Sequence, residues 1–337
     1  MNRVAKLSAA AVCVLASALI AQGCGDDEDG AADSGTDSGG DQAGRGGSGG
    51  RGGSGGRGGS GGRGGQSAGQ GSDDDAGVAD QSVTIRFKAK IGDEELACGR
   101  EYGGLGSSKV KATPQDFRFF VESVKLISKD GAEVPVRFDE RAPFQTKDVA
   151  FLDFTDGQGS CAPGTTTNTT ITGKVPAGDY SGIVFVNGVP ESINHQNIAV
   201  AKPPLQDAST YWGWQSGYRF IMAELLPTAV PEPDADAGVD PTGGASFVHI
   251  GTGGCTGANA TGFTCARANR NAIKLNDFDP ETDTVVADLG KVFANVNLET
   301  GLECHGPSPA CDALYSALGL ELATGDALDA QEVFRVE

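Results

Sequence analysis

The sequence predicts a mainly β domain, an antiparallel sandwich or barrel-like fold with long disulfide-closed loops, preceded by a disordered tether. Three observations predict it. Apolar and polar residues alternate with a period of two through most of residues 82–337, the mark of half-buried strands. Cysteines recur along that same part of the chain. Residues 25–80 before it hold almost nothing apolar, so they cannot offset the entropy lost on ordering.

In chain order, Arg3 and Lys6 precede the apolar run "LSAAAVCVLASALIA", which reads as an export signal over residues 1–23. The run is short for a membrane span and ends at "AQGC". Gly23 before Cys24 is similar to a bacterial lipobox, so Cys24 is expected to carry the lipid and become the mature N-terminus of an exported, envelope-anchored chain facing the periplasm or the cell surface. Residues 24–81 follow as a Gly/Ser/Arg/Asp-rich tether built on "GRGGSGG" units. A Gly-rich coil of that length has an end-to-end distance of roughly 40 Å, enough to lift a domain off a membrane. Arg-Gly-Gly repeats can bind nucleic acid. Here they are flanked by acidic segments, and the chain's net charge of -19 argues against a phosphate backbone as partner.

Residues 82–337 are one domain by length. "VTIRFKAK", "DFRFFVESVKLI", "VPVRF" and "VAFLDF" read as strands, and "NTTITGKVPAGDYSGIVFVNG" as two strands around the turn "PAGD". A Pro-rich connection leads to "YWGWQSGYRF" and on through "RFIMAELL". The Pro/Asp/Gly run "PTAVPEPDADAGVDPTGGA" reads as a loop, and "SFVHIG", "AIKLNDF" and "TVVADL" as the last strands. Only "CDALYSALGLEL" and part of "DALDAQEVFRVE" have helical spacing.

Of eight cysteines, Cys13 lies in the signal and Cys24 at its end. In an exported chain the other six read as three disulfides: Cys98–Cys161, Cys255–Cys265 and Cys304–Cys311, the last two closing short loops. Six cysteines permit fifteen pairings, so spacing alone leaves others open.

"YWGWQSGYRF" holds both tryptophans and two of five tyrosines. On one continuous strand Trp212, Trp214, Ser216, Tyr218, Phe220 and Met222 share a face. Such a stripe is more often core than site. Each histidine alone is more often structural than a ligand, but His249 can pair across from the strand of Met222, and one imidazole with one thioether suits Cu(I).

The order "CGREY", "DFRFFVESVKLI", "FLDFTDGQGSCAPGTTTNTTITGKVPAGDYSGIVFVNGVPESINH", "PPL", "YWGWQSGYRF", "HIGTGGC" and "CARANR" resembles the MbnP family of copper-binding proteins, of the methanobactin-operon type. The resemblance implies a single copper ion, Cu(I), bound by a histidine and a methionine beside Trp212 once a dihaem partner of the MauG or cytochrome c peroxidase type has oxidised that residue to kynurenine. It implies a role in copper acquisition or homeostasis. Carried onto this chain, the ligand candidates are His195, His249 and Met222, with Trp214 and Tyr218 around them. His305 lies outside the shared motifs and is expected at the surface. One difficulty stands: ten residues of unbroken strand would put Met222 roughly 33 Å from Trp212, unless Gly213 or Gly217 breaks it. The other reading is a tethered sandwich that binds a glycan or a protein through exposed aromatics. GxSxG occurs only in the low-complexity GGSGG units of the tether and nowhere in residues 82–337, and the chain reads as a binding protein rather than an enzyme.

Overall fold

The structure is a computed structural model, and it describes residues 79–337 except 160, 162–165, 229–243 and 259. The signal, Cys24 and the tether up to residue 78 lie outside the described residues, as does most of the Pro/Asp/Gly loop.

The predicted alternation gives strands where it is strongest. Strand β1 (Asp80–Ile91) starts two residues before the expected boundary and buries Val83, Ile85, Phe87, Ala89 and Ile91 on one face. β2 (Val110–Ser128) is the long spine of the domain, and β3 (Ala150–Asp153) pairs with it. β4 (Thr170–Pro176) and β5 (Tyr180–Asn187) flank the "PAGD" turn. The aromatic stretch supplies β6 (Tyr211–Gly213), β7 (Gly217–Tyr218) and the start of β8 (Ile221–Pro227). There follow β9 (Ser246–Ile250), β10 (Gly253–Ala258), β11 (Gly262–Arg267), β12 (Asn271–Asn276), β13 (Thr284–Asp288), β14 (Leu302–Cys304) and β15 (Phe334–Val336).

Two sheets face each other. Among the described residues the first has six strands, with β15, β13, β1 and β4 in order, and the second has nine, built on β12–β5–β2–β8–β9–β14. Phe87 from the first sheet meets Phe119 and Phe185 of the second edge-on at 6.3 and 5.6 Å. Phe334 closes the same cluster at 5.5 Å from Phe119. Aromatic edges of this kind add about 0.5–1.5 kcal/mol per pair beyond the area they bury.

Three expectations are corrected. The sheets are mixed rather than antiparallel, since β1 pairs with β13 and β9 with β14 in parallel. The C-terminal "EVFRVE" is a strand on β13, because Phe334 fills the core and Arg335 Nη1 donates to the buried Asp288 carboxylate at 2.8 Å. "CDALYSALGLEL" is helical only over Asp312–Ala317.

The expected disulfides Cys98–Cys161, Cys255–Cys265 and Cys304–Cys311 are all present. Their loop lengths rank their worth. The 63-residue separation of the first predicts about 4 kcal/mol of stabilisation, and the seven-residue separation of the third about 2.5 kcal/mol, through restriction of the unfolded chain. Paired Cys98→Ser and Cys161→Ser replacements should therefore lower the unfolding free energy by about 4 kcal/mol, read as a fall in the denaturant midpoint.

Candidate metal centre

The outward face of the second sheet carries polar residues in register. β8 alternates sharply: Ile221, Ala223 and Leu225 point into the main core, while Met222 belongs to a second cluster on the other face. Met222 is paired with Arg118 on β2 and with His249 on β9, so one row across the sheet reads Arg118, Met222, His249. The neighbouring row reads Asp116, Glu224, Phe247, Glu303. Directly opposed residues of this kind have Cβ atoms about 4.5–5.5 Å apart. β14 adds the last column, and the chain leaving it brings the His305 ring to 5.1 Å from His249 and 4.9 Å from Phe247.

Over this face folds the aromatic stretch, and here the continuous-strand reading fails. β6 and β7 form a hairpin, with Tyr211 opposite Tyr218 and Gly213 opposite Gly217. Gly217 makes the return possible twice over. Its φ of +73° is a backbone region that side chains avoid, and any Cβ there would strike the Asn194 side chain. Asn194 Oδ1 accepts from the Tyr218 amide at 3.0 Å, and the Tyr218 hydroxyl donates to the Leu205 carbonyl at 2.5 Å, which pins the hairpin down. The roughly 33 Å separation expected between Trp212 and Met222 is thereby removed. Tyr218, Phe220 and Met222 share one buried cluster with Phe120 and Phe151, whereas Trp212 and Trp214 part from it.

Trp212 lies half-buried at the rim of the histidine pair, its ring 6.2 Å from that of His305. Gly251, just after β9, lets the indole come close: a Cβ there would stand 3.0 Å from Trp212 Cζ3. Arg219 places its guanidinium 5.7 Å above the indole, a cation–π arrangement. The Arg219 Nε is buried and has no acceptor among the described residues. An open pocket of about 470 Å³, lined by Trp212, His305, Gly251, Cys255 and Asn269, gives the site a route to solvent.

The state of His249 can be read from its partners. Glu224 Oε1 lies 2.7 Å from Nε2, and a carboxylate can only accept there, so Nε2 carries the proton. The other nitrogen, Nδ1, is buried and has no hydrogen-bond partner among the described residues. A buried polar atom left so calls for a reason. An imidazole whose far N–H is held by a carboxylate is the usual arrangement of a metal-ligating histidine, and a cation on Nδ1 would supply such a reason. Burial pushes the His305 imidazole below its ordinary pKa and the Arg219 cation adds to it, which favours the neutral form that ligates.

The sequence-predicted ligands therefore part company. His249 and Met222 are brought side by side, while His195 sits in a different set. Its Nδ1 lies 3.0 Å from the Trp214 carbonyl, its Nε2 3.4 Å from Cys265 Sγ, and Phe263 stacks on its ring at 4.6 Å. The nitrogen of His195 and the sulfurs of Cys255 and Cys265 lie within 4.8 Å of one another, but the sulfurs are joined as a disulfide. Trp214 is 49% exposed and Trp212 is not, so the two tryptophans do not make one exposed platform for a glycan. His305 is at the surface as expected, yet its inner face completes the cluster. Sequence reasoning passed over it because β14 is three residues long and its pairing with β9 is non-local. The position of His305 directly after a disulfide cysteine was the one available signal.

The comparisons identify the family. A family model described as MbnP matches residues 80–306, a span that takes in Trp212, Met222, Glu224, His249 and His305. Among solved structures, MbnP from Methylosinus trichosporium is similar at 30% identity with a TM-score of 0.67, the likeness covering 77% of this chain and 99% of that one. No curated protein is matched. With its site residues, its three disulfides and its two-sheet frame all falling within or around that match, the chain belongs to the MbnP family.

Proposed function

We propose that this protein is a copper-binding lipoprotein of the cell envelope, anchored through Cys24, that takes one Cu(I) at the His249–His305 cluster after Trp212 has been oxidised to kynurenine. The family is associated with methanobactin and copper handling, which supports the metal. The observation that carries the site is the unpartnered, buried Nδ1 of His249 beside His305, with Met222 directly across the strand. Two neutral imidazoles and a thioether are donors that suit Cu(I). The bound ion would supply a soft, redox-capable centre. The chain's own residues do the rest: Glu224 orients His249, Phe247 packs against both histidine rings, and Arg219 roofs the indole.

The modification is chemically suited to this place. An intact indole has only an N–H donor and offers a metal no lone pair. A dihaem partner that uses hydrogen peroxide would cleave the indole C2–C3 bond, placing one oxygen atom on each carbon from two peroxide molecules and releasing two waters. Hydrolysis of the resulting N-formyl group releases formate and leaves a ketone and an aromatic amine. The ketone is an acceptor for the unpartnered Arg219 Nε, and the amine is a new donor atom near His305. In this reading the protein is the substrate of an oxidising enzyme and a carrier or buffer of copper, not a catalyst.

The test is to produce the chain with and without a dihaem peroxidase-type partner. The expected outcome is a mass change confined to the peptide that contains Trp212, with copper retained only by the modified form. Equal copper retention by unmodified protein would sink the maturation step while leaving the histidine site standing.

A further inference from the structure

We propose that reduction of the Cys255–Cys265 disulfide opens a second metal site, in which the two thiolates and His195 Nε2 bind one Cu(I). The site is separate from the His249–His305 cluster and does not depend on it.

His195 is already set up as a ligand. A carbonyl can only accept a hydrogen bond, so the Trp214 oxygen at 3.0 Å fixes the proton on Nδ1 and leaves the lone pair on Nε2. The other side of the network gives the same answer. The Tyr218 amide must donate to the Asn194 side chain, which makes that atom Oδ1 and turns Nδ2 toward Nε2 at 3.2 Å. Asn194 Nδ2 also donates to Thr252 Oγ1 at 3.1 Å, and Thr252 in turn donates to the Ser216 carbonyl at 2.8 Å. Backbone groups at both ends thus hold His195 in one tautomer, with Nε2 3.4 Å from Cys265 Sγ. A carbonyl-bound N–H opposite the lone pair is how ligating imidazoles are oriented, and a metal on Nε2 takes the place of the Asn194 Nδ2 donor. Phe263, stacked at 4.6 Å, keeps the ring in plane.

The disulfide beside it differs from the other two in its surroundings. It bridges directly opposed residues of the β10–β11 ribbon, whose residues are exposed or half-exposed along its length. Cys304 and Cys311 are fully buried, and in the Cys98–Cys161 bridge only Cys98 is half-exposed, whereas both cysteines of the ribbon are. A dithiol reductant of the thioredoxin type therefore reaches the ribbon disulfide first. In the exchange the reductant's two thiols become a disulfide, and two electrons and two protons pass to Cys255 and Cys265. Each thiol then releases its proton to solvent on binding the metal, and the copper enters and stays as Cu(I). A neutral imidazole and two thiolates make a three-donor soft set, which suits Cu(I). Structural zinc requires a fourth ligand, and no further His, Cys, Asp or Glu joins this group among the described residues.

The test uses the full-length chain carrying His249→Ala, which removes the first site, titrated with Cu(I) against a competing chelator before and after mild dithiol reduction. The expected result is no tight binding when oxidised. One equivalent binds when reduced, with an ultraviolet thiolate-to-copper absorption band, and alkylation mapping finds Cys255 and Cys265 free. Adding His195→Ala should weaken that binding at least tenfold with the cysteines still free, and the Cys255→Ser, Cys265→Ser pair should abolish it. Three results each overturn the proposal: no gain in copper on reduction, reduction that frees Cys98 or Cys304 first, or affinity unchanged by His195→Ala. Preferential binding of Zn(II) in the same titration overturns the assignment to Cu(I).

Discussion

A chain carrying His249→Ala should lose tight copper binding outright, by more than the hundredfold that loss of an orienting partner alone can cost. The two nitrogens of one imidazole differ in their partners. Nδ1 is the buried nitrogen left without a partner among the described residues, and Nε2 is spoken for by Glu224. Removing the ring removes the donor. Removing only the carboxylate, as Glu224→Gln, leaves the donor but lets the imidazole turn and change tautomer, so copper should bind about 10–100-fold more weakly rather than disappear. His305→Ala should follow His249→Ala. Met222→Leu, which keeps volume and costs little in packing, isolates the thioether. His195→Ala in the oxidised protein should leave the affinity of this site unchanged, because His195 faces the Cys255–Cys265 disulfide. Competition against a Cu(I) chelator reads all five variants. If His195→Ala loses the metal and His249→Ala keeps it, the site has been assigned to the wrong histidine.

Much of the fold was legible because one face of each strand is buried. The alternation in "VTIRFKAK" survives as Ile85, Phe87 and Ala89 in the core, and the expected pairing of cysteines, which spacing alone left open, is the one the structure holds. The site was half legible. Trp212, His249 and Met222 could be named from motifs and pairing, but their meeting depends on where the chain turns. Period two has no means of marking a turn inside an aromatic run. The glycines do, and Gly217 was the residue that mattered, for its left-handed backbone and its contact with Asn194. His305 and Glu224 were missed for different reasons. His305 arrives by a parallel pairing between segments some fifty residues apart, which leaves no local trace. Glu224 is one of many carboxylates, and only its register, one row from His249, gives it a role.

The last large effect lies next to the site. Asp116 and Arg118, two residues apart on β2, share a face and are almost fully buried, with guanidinium-to-carboxylate bonds of 2.7 and 2.6 Å. Arg118 Nη1 also donates to Ser209 Oγ at 3.0 Å, tying the loop before the hairpin to the sheet, and Met222 stands directly across from it. Burial works against the charge on both partners. At Arg118 the hydrogen bonds it donates to Asp116 outweigh it and hold the guanidinium above its ordinary value. At Asp116 burial wins, raising the carboxyl from 3.8 to about 6. Replacing Asp116 by Asn leaves a buried cation with no full partner, and the expected loss is about 3–5 kcal/mol. Replacing both residues by apolar side chains of similar volume should cost far less, since neither charge then needs hydration. The pH dependence carries the sign. Between pH 3.8 and about 6 the folded state holds a proton on Asp116 that the unfolded state has released, so this group's contribution to stability falls as pH rises through that window. Subtracting the Asp116→Asn profile from that of the parent should expose this falling limb. A difference that instead rises from pH 4 to 6 would mean that the pair stabilises the ionised carboxylate, and that the surroundings of the metal cluster are more hydrated than the burial of Asp116 and Arg118 implies.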